Sequence, residues 1–389
     1  MRFYDYKGGT LVRKIFGFPL IRKDNVITLL VFGFPLVQKV ITSTWHLNGG
    51  GGAIINYRLM ICGITISRKQ VYDTYYILHQ NAWFENILPT LQAPNILSRL
   101  QALTKGLDTQ STNRVYQIIA RTIEASQSPT KSTYKLTQEE RESLDKIYCD
   151  FYPSIACLKL FAENQAGVYF WNGYFLPKRH STEVFWHRHG LDTLKNPAYL
   201  QGKDIIDAGG YIGDSALILQ EYTDKNVHSF EATRRNFTLM QETLRLNNTT
   251  RIIPVNKGLG GKPDKMSICL KDSASSLISG SSLPDHFQSD EHEEIEIITL
   301  DSYVAEHNLR VGFIKVDIEG FELEFLKGAK NTICTQKPAM LISIYHNIEH
   351  FLEIKPMLES WNLGYTFHIY KPLDRYIADE TALFCEILD

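Results

Sequence analysis

The sequence has no uninterrupted apolar run of 18 or more residues, so it predicts no membrane-spanning helix. Its first residues lack the apolar core of a signal peptide, and the cytoplasm is therefore the expected location. Six cysteines are scattered along 389 residues without a CxxC pair, which is typical of buried thiols in a reducing compartment. A net charge of -2 gives no electrostatic reason to expect a nucleic-acid partner.

The length exceeds what one hydrophobic core usually organises, and the 44% hydrophobic and 22% charged residues are ordinary for globular domains. Three parts are predicted from the changes in pattern along the chain. Residues 1–70 are expected to form a β-rich repeat module, and residues 71–165 a helical region. Residues 166–389 are expected to form an α/β domain.

A short repeat carries the first prediction. Ile15-Phe-Gly-Phe-Pro-Leu-Ile-Arg-Lys23 returns as Val31-Phe-Gly-Phe-Pro-Leu-Val-Gln-Lys39, and a weaker copy spans residues 61–69. The alternation of apolar and other residues predicts strands with one apolar face, and the shared glycine predicts a bend. A stacked solenoid is the alternative arrangement. The glycine-rich stretch 48–52 is interpreted as a linker.

The helical region is predicted from apolar spacing near residues 71–88, 95–103, 113–125 and 137–149. Thr137 and Glu140 have the spacing of a capping box, in which each side chain bonds the other residue's N–H. The region shows no recognisable chemistry.

From Asp204 onward, strand-like and helix-like segments alternate, which predicts a mostly parallel sheet covered by helices. The predicted strands are residues 204–208, 226–231, 251–256, 312–317, 339–345, 366–370 and 382–388. The predicted helices are residues 214–222, 236–247, 321–327 and 348–361.

The turn Asp207-Ala-Gly-Gly-Tyr-Ile-Gly213 ends the first of these strands and opens a helix. Gly209 lets a ligand approach the backbone, and Glu231, 24 positions after Asp207, is placed to accept the hydroxyls of a ribose. The turn is not GxGxxG, because Tyr211 stands where the second glycine would fall. This spacing disfavours a nicotinamide-dependent dehydrogenase and favours a cofactor with a ribose and no phosphates.

Several ordered motifs together resemble the FkbM family of S-adenosylmethionine-dependent methyltransferases. They are Asp207–Asp214, Phe230-Glu231, Phe313–Glu322, Leu326–Ala329 and Ile342–His346. Within them, Gly210 replaces the alanine usual in the family. The resemblance implies a class I methyltransferase-like (Rossmann-like) fold, with a mostly parallel seven-stranded sheet whose last strand is antiparallel.

The resemblance also implies a cofactor, S-adenosyl-L-methionine, and a set of residues that hold it. Asp207, Gly209, Tyr211 and Gly213 would frame the methionine moiety together with Asp214, Glu231 would hold the ribose, and Asn256 would lie near the adenine. Asp207 as a purely structural carboxylate that stabilises the loop is one alternative. Glu231 as a solvated strand end is another.

Methyl transfer to a hydroxyl requires a positioned acceptor and removal of a proton. Asp317 and His346, at the ends of adjacent strands, are the predicted catalytic pair, and histidine has the better-matched pKa for a base. Glu322 is a candidate helix cap. No metal is predicted, although a carboxylate-bound ion at Asp317 and Glu319 is an alternative. A metal site at His187 and His189 is disfavoured against a role in the pocket wall.

The expected acceptor is a hydroxyl of a small molecule or glycan, and the resemblance alone points to a sugar in a surface glycan or a secondary metabolite. The N-terminal half is a candidate for homo-oligomer contacts or for docking on a glycan-synthesis complex. A non-catalytic scaffold component of such a complex is the alternative function.

Overall fold

The chain forms two compact units, one of residues 1–79 and 127–145 and the other of residues 80–126 and 146–389. The computed structural model describes residues 4–6, 10–15, 18–23, 26–31, 34–44, 54–61, 64–72, 87–127, 137–158, 167–270, 275–276, 292–373 and 376–388. No helix among these residues has the length and apolar character needed to cross a membrane.

The first unit contains a seven-stranded antiparallel meander in which each strand pairs with the next. Its strands are β1 (Tyr4–Tyr6), β2 (Thr10–Ile15), β3 (Phe18–Lys23), β4 (Val26–Val31), β5 (Phe34–Thr44), β6 (Ile54–Ile61) and β7 (Ile64–Tyr72). Each copy of the sequence repeat starts on the last residue of one strand and continues into the next. Each copy of the repeat therefore includes the end of one strand and most of the strand that pairs with it. The glycine-rich stretch 48–52 lies outside the described residues.

The helical region is divided between the units. In the second unit lie α1 (Ile87–Leu91), α2 (Ile96–Thr104) and α3 (Thr109–Gln127), whereas α4 (Gln138–Lys146) falls almost wholly in the first. The capping box is confirmed, because Thr137 N–H donates to Glu140 Oε2 (2.8 Å) and Glu140 N–H to Thr137 Oγ1 (3.1 Å). The helix predicted over residues 71–88 is wrong at 71–72, where pairing with β6 extends strand β7. The limits predicted for the three domains stay a prediction.

The helical region is followed by a π-helical turn (Ile147–Phe151) and a short helix, α5 (Tyr152–Ser154). A small antiparallel sheet then contains β8 (Ala156–Leu158), β9 (Val168–Trp171) and β10 (Tyr174–Leu176). Residues 182–200 form three short helical turns that lead into the main sheet.

The main sheet of the second unit has seven strands. In spatial order they are β13 (Ile252–Val255), β12 (Val227–Phe230), β11 (Asp204–Ala208), β18 (Val311–Val316), β19 (Ala339–Ser343), β21 (Ala382–Glu386) and β20 (Thr366–Tyr370). The first five are parallel, and β21 is antiparallel to both of its neighbours. This topology confirms the predicted class I methyltransferase-like fold, with strand limits within one or two residues of those predicted.

Helices cover this sheet, and its central strands are buried along their whole length, as in β18 and β19. The helices are α6 (Asp214–Leu219), α7 (Arg234–Asn247), α8 (Leu300–His307), α9 (Glu322–Gly328), α10 (Lys330–Gln336) and α11 (Ile348–Ser360). Helix α2 packs on α11, where Arg99 forms ion pairs with Glu349 and Glu353.

A four-stranded sheet was not predicted. It contains β14 (Gly258–Leu259), β17 (His292–Ile298), β15 (Asp264–Leu270) and β16 (Ser275–Ser276). The acidic stretch before Ile298 forms β17, with Glu294 and Glu296 exposed, while Ile295 and Ile297 pack on Ile268. The sheet was not predicted because exposed charged residues alternate with only two buried isoleucines in β17. From the sequence alone, this pattern indicates a solvated hairpin.

Strand β11 lies between β12 and β18, both of which come after it in the chain. From β11 the chain continues to β12 on one side, and from β18 it continues to β19 on the other side. The connections leaving β11 and β18 therefore diverge, and a crevice opens at the carboxyl ends of these strands. Ligands of open α/β sheets bind at this position.

Candidate active site

A cavity of about 320 Å³ occupies this crevice. Its walls combine the glycine turn after β11, the ends of β12 and β18, the four-stranded sheet and the helical turns after Ser181. Among the residues that line it are Glu183, His189, Tyr211, Asp214, Ser215, Glu231, Thr233, Asn236, Lys257, Ile268, Ile295, Ile297, Lys315, Asp317, Glu319, Tyr345 and Glu380. The size is that of a small-molecule site.

A buried ion pair between Asp207 and Lys315 stabilises the glycine turn. Asp207, fully buried, accepts a hydrogen bond from Ser229 Oγ at Oδ2 (2.7 Å), and its Oδ1 lies 3.3 Å from Lys315 Nζ. Lys315 also donates to the backbone carbonyl of Gly209 (2.8 Å). Burial opposes the charge of Lys315, but Asp207 and Asp317 hold its pKa above the usual range. Asp207 thus lies behind the cavity wall and holds the turn in place.

Gly209 is required at its position for two reasons. Its φ of +84° is left-handed, and a Cβ there would lie 1.8 Å from the backbone oxygen of Asp317. Gly213 is left-handed as well, at +82°, and so is Tyr211, at +47°. The Tyr211 side chain lines the cavity, and its hydroxyl accepts a hydrogen bond from Lys178 Nζ (2.6 Å).

Glu231 lies at the end of β12 and lines the cavity while remaining 8% exposed. Both the N–H (2.8 Å) and the hydroxyl (2.6 Å) of Thr233 donate to its Oε1. Burial raises the pKa of this carboxyl, and hydrogen bonds from Thr233, Asn236 and the Tyr211 backbone oppose the rise. Asn256 does not contribute to the described wall: its amide donates to the backbone carbonyl of Glu231 (2.9 Å) and fixes the strand end.

The first turn of α6 provides Asp214 and Ser215 to the wall. Burial raises the pKa of Asp214 to about 6. Opposite, His189 Nε2 lies 2.9 Å from Ser215 Oγ, and burial lowers the pKa of this imidazole to about 3. His187 instead faces the backbone carbonyl of Leu373 (3.1 Å). His187 lies between two helical turns and His189 within the second, and the two side chains have different partners.

The end of β18 brings Asp317 to the cavity beside the end of β19. Tyr345 donates its hydroxyl hydrogen to Asp317 Oδ1 (3.2 Å), and His346 Nε2 lies 3.5 Å from the same oxygen. Asp317 lines the cavity, and His346 lies behind it with its side chain 8% exposed. Burial alone would lower the pKa of His346, but Glu322, Asp317 and Glu319 outweigh it and raise the pKa to about 9.

Glu322 organises the loop behind these two residues. Its Oε1 accepts the N–H groups of Ile318 (3.0 Å) and Gly320 (3.3 Å) and lies 2.9 Å from His346 Nδ1. Its Oε2 lies 2.7 Å from His350 Nδ1. Burial disfavours the charge on Glu322, yet the two imidazoles keep its pKa well below the usual range. Glu322 therefore caps the loop and orients His346 at once.

The structure thus brings five of the predicted residues to the cavity wall and leaves the others behind it. Tyr211, Asp214, Glu231 and Asp317 line it, with Gly209 in the wall and His346 in contact with Asp317. Lys315 was given no role from the sequence, although a lysine inside the apolar strand Gly312-Phe-Ile-Lys-Val required a buried partner. Glu183, Tyr345 and Glu380 carried no distinguishing local signal.

The fold and cavity define an α/β protein with a ligand site at the carboxyl ends of its parallel strands. Residues 207–367 match the family model described as Methyltransferase FkbM domain. Methyltransferase 1 of Beauveria bassiana (strain ARSEF 2860) is 23% identical over 186 residues, which cover 43% of this chain and 74% of that protein. The C-terminal half of the chain therefore resembles FkbM methyltransferases over residues 207–367, and these matches support a methyltransferase enzyme.

Solved structures of methyltransferases are similar as well. Methyltransferase FkbM from Methylobacillus flagellatus KT has a TM-score of 0.47 at 20% identity, over 78% of this chain. This chain spans 60% of the length of that protein. An rRNA methylase from Streptococcus thermophilus has a TM-score of 0.31 at 11% identity, over 55% of this chain and 99% of that one.

Proposed function

We propose that the second unit is an S-adenosylmethionine-dependent O-methyltransferase that acts on a hydroxyl. One observation carries this proposal. A single cavity presents a buried carboxylate beside an apolar patch at the end of β12, and a second carboxylate backed by histidine at the end of β18. The first combination suits a nucleoside, and the second suits a hydroxyl that loses a proton.

The residues at the β12 end fit the cofactor. Glu231 is held in one orientation by Thr233, so it is preorganised to accept the hydroxyls of a ribose. Ile268, Ile295 and Ile297 of the neighbouring sheet form an apolar surface next to it, suited to the face of an adenine. Gly209 and Tyr211 of the glycine turn line the cavity as well, and this part of the wall is proposed to contact the methionine moiety.

S-adenosylmethionine, when bound, supplies a methyl group on a sulfonium that leaves as a neutral thioether. The chain's own part is to hold the acceptor hydroxyl in line and to accept its proton. Asp317 faces the cavity and is assigned as the group that accepts this proton. His346, with a pKa of about 9, is protonated at neutral pH, so it acts as a positioning residue that fixes the Asp317 carboxylate.

The acceptor is proposed to be a sugar hydroxyl in a surface glycan or a secondary metabolite, and the family resemblance is the reason for choosing a sugar. Glu183, His189 and Glu380 also line the cavity. Carboxylates and imidazoles are suited to binding the hydroxyls of a polar acceptor.

Two measurements on the full chain test this function. Calorimetric titration is expected to detect binding of S-adenosylmethionine and none of NAD. Incubation with the cofactor and a panel of free glycans is then expected to give, by mass spectrometry, products that gain one methyl group. Absence of cofactor binding by pure, folded protein would overturn the proposal. Methylation confined to nitrogen or carbon acceptors would overturn the assignment to a hydroxyl.

A further inference from the structure

Behind the cavity wall, three carboxylates surround one imidazole. Asp317 Oδ1 and Glu319 Oε2 lie 3.5 Å and 3.6 Å from His346 Nε2, while Glu322 Oε1 lies 2.9 Å from Nδ1. One donor atom each of Asp317, Glu322 and His346 lie within 4.8 Å of one another. We propose that this cluster binds a divalent transition-metal ion through His346 Nε2, Asp317 and Glu319.

The ring nitrogen at the centre is the first reason. The His346 side chain is 8% exposed, and neither ring nitrogen forms a hydrogen bond of good geometry among the described residues. Nδ1 lies 2.9 Å from Glu322 Oε1, whereas Nε2 has no group at such a distance among the ion pairs of this side chain. A buried polar atom without a partner is costly, so an ion that bonds to it is stabilising. Carboxylate oxygens of Asp317 and Glu319 lie 3.5 Å and 3.6 Å from Nε2, at the limit of a hydrogen bond.

The spacing is the second reason. Bonds of about 2.0–2.2 Å to a divalent ion place neighbouring donor atoms roughly 3.0–3.6 Å apart. The distances of 3.5 Å to Asp317 and 3.6 Å to Glu319 fall at the upper end of this range. The Glu319 side chain is 46% exposed, so its carboxylate has room to rotate toward an ion.

The contact on the other side of the ring is the third reason. Histidines that bind a metal through one nitrogen usually offer the other to a carboxylate, which fixes the ring. Glu322 has this position beside Nδ1, and its own oxygens are otherwise occupied by two backbone N–H groups and His350. Glu322 is thus the orienting carboxylate and the other two acids are the ligands.

The donors are two oxygens and one imidazole nitrogen, a set that suits Mn²⁺, Fe²⁺ or Zn²⁺ better than Ca²⁺, which takes six to eight oxygens. Since Asp317 lines the cavity, an ion held there has open positions toward the acceptor. Because a histidine that binds a metal is neutral, the ion takes the place of the proton that His346 carries in the metal-free protein. A hydroxyl that binds to the ion becomes more acidic, so the ion would assist the same proton removal. This role rests on the proposed function, but metal binding itself does not.

The test is titration of Mn²⁺ into dialysed full-length protein, with free Mn²⁺ followed by electron paramagnetic resonance. One ion is expected per chain. His346→Asn retains a group at the Nδ1 position and removes Nε2, so at least a tenfold loss of affinity is expected. Glu319→Gln is expected to lose a similar factor. Glu324→Gln, on the exposed side of α9, is the matched control and is expected to bind as the wild type does.

Each result of this titration decides the proposal. No Mn²⁺ binding by the wild type, or binding that is unchanged in His346→Asn and Glu319→Gln, overturns it and identifies the cluster as an ion pair only. Circular dichroism of each variant shows whether the fold is retained. The same samples are titrated with S-adenosylmethionine, so that a failure of metal binding is distinguished from a failure of the proposed function.

Discussion

The two ends of the cavity, at β11–β12 and at β18–β19, differ in how their carboxylates are stabilised. At the β11–β12 end, Asp207 and Glu231 are each bound by specific donors: Ser229 and Lys315 for the first, Thr233 for the second. At the β18–β19 end, the carboxylates of Asp317, Glu319 and Glu322 are grouped around one histidine, His346. The first end has its charges balanced by fixed partners, whereas the second has an excess of acid.

This difference indicates that the two ends have different functions, one in binding the cofactor and the other in the reaction. Charges that are balanced by fixed hydrogen bonds hold a ligand in one orientation, and they do not change when the ligand reacts. Carboxylates grouped around an imidazole exchange protons or bind a cation, because each proton or cation relieves repulsion among them. Substitutions at the first end are therefore expected to change cofactor affinity, and those at the second end to change turnover.

The largest effect is expected from Asp317→Asn. The amide has nearly the same shape but accepts no proton, so kcat should fall by about 10²–10⁴-fold. The dissociation constant of S-adenosylmethionine should stay within about threefold, because the substitution lies away from Glu231. Single-turnover rates and calorimetry measure the two quantities. A kcat within a factor of ten of the wild type would exclude Asp317 as the proton acceptor.

Gly209→Ala tests the close contact between the glycine turn after β11 and the end of β18. A Cβ at this position would meet the Asp317 backbone oxygen at 1.8 Å, and φ is +84°. The expected loss is about 3 kcal/mol of the free energy of unfolding, from the clash and the backbone penalty together. Gly202→Ala is the control, because Gly202 has φ +75° with open space around it, and should lose only about 1 kcal/mol. Urea unfolding measures both variants. An equal loss of the free energy of unfolding in Gly209→Ala and Gly202→Ala would show that the clash at Asp317 does not destabilise the fold.

Glu231→Ala is expected to weaken binding of S-adenosylmethionine by about 10–100-fold, since a hydrogen bond to a charged group contributes about 1.5–3 kcal/mol. At saturating cofactor, kcat should change little. Glu242→Ala on the exposed face of α7 is the matched control. An unchanged affinity in Glu231→Ala would remove the ribose-binding role and with it the assignment of the β12 end.

How far the sequence predicts this site also differs between the ends. The α/β alternation gave every strand of the main sheet, because buried parallel strands read as continuous apolar runs. It also located Glu231 and Asp317, since both directly follow such a strand. The four-stranded sheet was missed: β15 and β17 are largely solvated, so their residues carry only a weak pattern.

The roles of side chains depend on long-range geometry that local patterns do not contain. Asp207 precedes the glycine turn, yet it lies behind the wall, because Lys315 of a strand more than a hundred residues later pairs with it. His346 was preferred as a base from its ordinary pKa, and the surrounding carboxylates reverse that preference by keeping it protonated. Neither pairing follows from spacing in the sequence.

The smallest predicted effect is on stability and concerns His180. Unlike His346, His180 has no carboxylate among the groups that shift its pKa. His180 is 2% exposed and packs against Phe185, and burial lowers its pKa to about 4. Below pH 6.5 the unfolded chain takes up a proton that the folded chain does not, so stability falls as the pH drops toward 4. His180→Gln should reduce the loss of stability between pH 6.5 and 5.5 by about 1 kcal/mol. Urea unfolding at several pH values measures it, and an unchanged slope would mean that His180 becomes protonated in the folded chain.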